Sequence, residues 1–96
     1  MLSLDDIRAQ TLEIAQQKLG AGIVKNVVVE DDTDMDGRPC LRITLILKSG
    51  WDDPPGIRLG GISLGLIDYL SEHNDGRFPY THYVTVKEYA KITASK

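Results

Sequence analysis

The chain has 96 residues, 42% apolar and 26% charged, which is enough for one modest core and matches the balance of an ordinary globular domain. Fourteen acidic residues against eleven basic ones leave a net charge of −3, and the cations are scattered, a pattern that disfavours the phosphate contacts of nucleic-acid binding. The single cysteine excludes an internal disulfide and a multi-cysteine zinc site, and the longest apolar run, Ile43 to Leu47, falls far short of the roughly 20 residues that span a bilayer.

Leu4, Ile7, Thr11, Ile14, Ala15 and Leu19 fall on one helical face and predict an amphipathic helix from Ser3 to about Leu19. Ser3 suits the N-cap, Asp5 and Asp6 the positive end of the helix dipole, and Gly20 a left-handed C-cap. The N-terminus carries no basic segment followed by a long apolar one, so no secretory signal is expected, and the expected location is cytoplasmic.

Ile23 to Glu30 is rich in valine, and Leu41, Ile43, Leu45 and Leu47 alternate with Arg42, Thr44, Ile46 and Lys48. These are two strands, and Asp36-Gly37 between them suits a tight antiparallel turn. The alternation buries the leucine face of the second strand and leaves Arg42, Thr44, Ile46 and Lys48 open to water or to a partner.

Trp51-Asp-Asp-Pro-Pro-Gly56 is a break, because proline lacks an amide donor and disfavours helical geometry in the residue before it. Leu59, Ile62, Leu66, Ile67 and Leu70 then recur at helical spacing, and Asn74-Asp75-Gly76 stops a second helix near His73. Gly60, Gly61 and Gly65 each cost about 1 kcal/mol relative to alanine inside a helix and obscure its start. Close packing of the helix on the sheet, or a loop with unusual φ, accounts for them better than a phosphate cradle: no Gly-Lys-Ser/Thr follows, and Asp52 and Asp53 would repel an anion. Phe78 to Val84 reads as a third strand. Thr85-Val-Lys-Glu88 then has the form of a capping box that opens a short helix over Val86 to Ile92.

The predicted fold is therefore a single α+β domain over residues 1–96. It is a two-layer sandwich of order α-β-β-α-β with a short C-terminal helix, and its three-stranded mixed sheet carries both main helices on one face. A right-handed crossover through the second helix joins strands two and three.

Three groups of residues are candidates for function. Asp32-Thr-Asp34-Met-Asp36-Gly37 resembles the first half of the calcium loop of EF-hand proteins, which implies weak divalent-ion binding by Asp32, Asp34 and Asp36. The twelfth loop position, where that family supplies a bidentate glutamate, is Ile43 here, and the flanks read as strands. A solvated hairpin tip that discourages edge pairing is the simpler reading, so no metal site is expected. Cys40, His73 and His82 supply the residue types of a thiol nucleophile and its base, but they sit on different elements and nothing in their spacing brings them together.

The third group is an interaction surface of Trp51, Arg77 and Tyr80 with the outward residues Arg42 and Ile46. Aromatic residues and arginine are enriched at interfaces, and Arg77-Phe-Pro-Tyr-Thr-His-Tyr83 is dense in such groups. Interaction features outnumber chemical ones. The first reading is a non-enzymatic protein-binding or regulatory module, accessory or antitoxin-like, that needs no cofactor. Its partner would be another protein or a second copy, with neither nucleic acid nor membrane involved. The alternatives are an enzyme using Cys40, His73 or His82, and a divalent-ion module at residues 32–37.

Overall fold

The computed structural model describes residues 2–50 and 57–94. Helix α1 (Leu4–Leu19) starts where Ser3 Oγ accepts the Asp6 amide at 3.1 Å and ends where Gly20, at φ +96°, donates its amide to the Gln16 carbonyl. Its buried stripe is Ile7, Thr11, Ile14, Ala15 and Leu19. Thr11 belongs to this stripe at no polar cost, because its hydroxyl donates to the Ile7 carbonyl at 2.7 Å.

Strands β1 (Val24–Thr33) and β2 (Pro39–Leu47) form the expected antiparallel hairpin. β1 runs three residues further than the valine-rich segment, because Asp31, Asp32 and Thr33 pair with Leu41, Cys40 and Pro39 through backbone bonds that are blind to side-chain charge. At the tip Gly37 takes φ +81° and donates to the Asp34 carbonyl, and the Asp34 amide donates to the Arg38 carbonyl.

Helix α2 (Ile57–Glu72) follows, then β3 (Phe78–Thr85), which lies parallel to β2. The strand order is β1-β2-β3, so the sheet is mixed and β2 is central. Pro79 is tolerated because β3 is an edge strand with one side free of ladder bonds. Helix α3 (Val86–Ala94) starts with the predicted capping box: the Glu88 amide donates to Thr85 Oγ1, and the Thr85 amide donates to Glu88 Oε1.

One core joins the inward faces of α1 and α2 to the sheet. Leu41, Ile43 and Leu45 in β2 are fully buried, as are Ile62 and Leu66 in α2 and Ile7 in α1. The leucine face of β2 is the inward one, as the alternation predicts.

Two expectations change. Gly60, Gly61 and Gly65 lie inside α2; Gly61 and Gly65 face α1 rather than the sheet, and nothing lies within 4 Å of a Cβ at Gly60. A Cβ at Gly65 would stand 3.2 Å from Ile14 Cγ2, and one at Gly61 would touch the Lys18 stem, so glycine there lets the two helices approach closely. Ile46 is also not on an open surface. It is 4% exposed at the end of the far sheet face, in register with Val84, where α3 packs back on β3 and β2. The chain turns after β3, and α3 brings apolar cover to the end of the face that Ile46 occupies. The break at Trp51 to Gly56 lies outside the described residues.

Candidate functional site

Strand alternation sends one set of side chains away from the helices. On this far face stand Asp32 in β1, Cys40, Arg42 and Thr44 in β2, and Phe78, Tyr80 and His82 in β3. The parallel register sets Arg42 beside Tyr80 and Thr44 beside His82. At the hairpin end of this face the turn residues Asp34, Met35 and Asp36 rise over the strands, and together they enclose an open cavity of about 520 Å³ with Asp32, Cys40, Arg42, Tyr80 and His82 in its wall. Met35 is fully exposed, and Tyr80, 45% exposed, packs against Phe78 as a tilted ring pair with centroids 4.8 Å apart.

The charges around this cavity are unequal. Arg42 pairs with Asp32, whose other oxygen accepts the Thr33 amide. Asp34 Oδ1 accepts the amides of Asp36 and Arg38, both at 2.9 Å, and so holds the turn together. The carboxylate of Asp36 has no partner among the described residues. The resemblance to a calcium loop is thus accounted for by other jobs, one carboxylate neutralised by arginine and one capping a turn. Among the described residues no group of three His, Cys, Asp or Glu side chains is arranged to hold a metal ion.

Cys40 and His82 share the cavity, but the thiol is not activated. Burial pushes the Cys40 thiol up, and the nearby carboxylates of Asp32 and Asp34 push it the same way against Arg42. A thiol held protonated is a poor nucleophile. His73 is not in the cavity: it follows α2 on the helical side of the sheet, and its ring packs on Tyr69 at 4.7 Å.

No match to this chain is found among family models, curated proteins or solved structures. The site is therefore read from its own geometry.

Of the five residues predicted to contact a partner, the structure brings two together, Arg42 and Tyr80. Ile46 is covered, Trp51 lies outside the described residues, and Arg77 is no surface anchor. The Arg77 side chain is 6% exposed and joins three segments. It donates to both Asp75 oxygens, to Asp31 Oδ1 at 2.7 Å and to the Leu2 carbonyl at 2.8 Å. Asp75 in turn accepts the amides of Leu2 and Arg77. These bonds hold the Asp75 carboxyl at about 2, well below the usual carboxylate range, despite a side chain with no exposure at all. A guanidinium this well paired is buried for a structural purpose: it ties the N-terminus and β1 to the loop before β3.

Met35 and Phe78 are site residues that sequence reasoning missed. Met35 stands inside a turn read for its carboxylates, and Phe78 is one of several aromatics in a strand from which only Tyr80 is singled out. The parity of β3 carried the signal for Phe78, since Phe78, Tyr80 and His82 alternate with Pro79, Thr81 and Tyr83 on the inner side.

Proposed function

We propose that this chain is a non-enzymatic protein-binding module that works through the open part of its far sheet face. The observation that carries this reading is the exposed, tilted Phe78–Tyr80 ring pair beside an open cavity, with Met35 and Arg42 at its margin. Aromatic residues, methionine and arginine are the types enriched at protein interfaces, and apolar rings left in water gain free energy when a partner covers them. The raised thiol of Cys40 argues against the enzyme reading, whose only support is that His82 shares the cavity. A module without chemistry of its own acts by occupying a partner's surface, as accessory and antitoxin-like proteins do.

The test is affinity capture with three baits: the parent chain, Tyr80→Ser, and Leu64→Ser, a control on the outer side of α2 where Leu64 is 65% exposed. A partner recovered in stoichiometric amount by the parent and by Leu64→Ser, and lost with Tyr80→Ser, is the expected result. Equal recovery by all three baits, each folded by circular dichroism, would refute the far face as the binding surface. Light scattering on the same variants reports whether the partner is a second copy.

A further inference from the structure

Resting on the reading of the far face as a binding surface, we propose that its occupant is a cationic, partly apolar segment of a partner protein. A lysine or arginine head lies against the Asp34–Asp36 rim, and its stem crosses Tyr80.

Three observations point to that chemistry. The first is the imbalance of charge. Three carboxylates line the cavity against one guanidinium, and that guanidinium is already paired with Asp32. The carboxylate of Asp36 and the second oxygen of Asp34 have no partner among the described residues. A cationic head would supply what the rim lacks, and the net charge of −3 favours its approach from a distance.

The second observation is that the wall is not polar throughout. Tyr80 and Met35 give the cavity an apolar side that a bare metal ion would leave unused. Lysine and arginine are amphipathic, with a carbon stem that packs on apolar surface and a charged end that reaches water or a carboxylate. The Tyr80 ring also offers a π face to a cation.

The third observation favours a chain segment over a small amine. Tyr80 lines the acidic cavity, and its ring partner Phe78 lines a second cavity of about 220 Å³ with Ile67, Leu70, Pro79 and the paired Asp75 and Arg77. The aromatic pair stands between an acidic recess and one whose exposed wall is mainly apolar, its two charges, Asp75 and Arg77, being paired with each other. A segment with a basic residue followed by an aliphatic one would place each in the recess that suits it.

The experiment is a titration of ¹⁵N-labelled protein, followed by amide shifts, with the acetylated and amidated peptide Ser-Arg-Arg-Ser-Leu-Leu-Ser. Two counterparts carry Glu or Gln in place of Arg. Asp34→Asn keeps the side-chain oxygen that the turn amides need, and Asp36→Asn removes a carboxylate without a structural bond, so the double variant should fold. The arginine peptide should shift amides at residues 34–36, 40–42, 78 and 80–82. It should bind about fivefold or more weakly to the double variant and weaken further in about 0.5 M salt. The inference is overturned if the Glu or Gln peptide binds as well as the Arg peptide, or if the double variant binds like the parent. In either case shifts on the far face that vanish in Tyr80→Ser would leave the binding surface standing with a different occupant. If no peptide shifts the far face, the cationic occupant is likewise overturned, and the capture experiment with Tyr80→Ser decides the surface separately.

Discussion

Replacing Asp75 with Asn keeps the shape of the side chain but removes the charge that Arg77 faces. The Asp75 side chain is fully buried and that of Arg77 is 6% exposed, and two hydrogen bonds join them besides the backbone contact. Breaking a buried pair from one side costs about 3 to 5 kcal/mol, because the remaining charge keeps its desolvation penalty. Here Arg77 retains Asp31, whose carboxylate is 66% exposed, and the Leu2 carbonyl, so the lower end, about 3 kcal/mol, is expected. The pH dependence gives an independent figure. Asp75 falls from 3.8 in the unfolded chain to about 2 in the folded one, and at about 1.4 kcal/mol per unit this is worth about 2.5 kcal/mol. Its folded value is depressed, so this stability is fully present well above 3.8 and is lost as pH falls through about 2, with roughly half gone by about pH 3. Urea unfolding of the parent and Asp75→Asn at pH 7, 5 and 3, followed by circular dichroism, measures both quantities. The gap between the two proteins should be about 3 kcal/mol at pH 7 and should narrow by about 1 kcal/mol between pH 5 and pH 3. A variant within about 1 kcal/mol of the parent at pH 7, with a gap that does not change with pH, would show that the clamp carries no net stability.

Three further outcomes test the packing and the thiol. Leu45→Ala should cost about 2 to 5 kcal/mol, whereas Thr44→Ala on the far face should stay within about 1 kcal/mol; equal losses in thermal unfolding would mean the faces of β2 are assigned the wrong way round. Gly60→Ala has nothing within 4 Å of the new Cβ and should stabilise by up to about 1 kcal/mol, while Gly65→Val, driven into Ile14, should destabilise by about 1 to 3 kcal/mol; a stabilising Gly65→Val would rule out the close α1–α2 contact. Iodoacetamide should alkylate Cys40 at neutral pH more slowly than it alkylates free cysteine, and a faster rate would revive the enzyme reading.

The far face shows how unevenly the site could be read in advance. Alternation along β2 identified Arg42 as outward, and the density of aromatic residues after Arg77 pointed to Tyr80. That these two share a wall depends on the parallel register between β2 and β3, which sets Arg42 beside Tyr80 across 38 positions of sequence and which no local pattern encodes. The cavity itself exists because the turn at Asp34 to Asp36 folds over that wall, and its shape follows from side-chain-to-backbone bonds of Asp34.

What the sequence determined by itself was whatever short-range physics controls. The span of α1 followed from its apolar period and its Ser3 cap, the hairpin from Asp36-Gly37, the inward face of β2 from strict alternation, and the start of α3 from its capping box. Tertiary structure alone decided the fates of residues whose chemistry suits two environments. Arg77 looked like a surface anchor and became a buried clamp, because Asp75, Asp31 and Leu2 converge on it from segments up to 75 positions away and supply the partners that make burial tolerable. Ile46 has the same outward parity as Arg42, yet it is buried while Arg42 stays in water, because α3 packs back at one end of the face only. Parity along a strand fixes which side of the sheet a residue takes; whether that side is wet depends on what the rest of the chain lays across it.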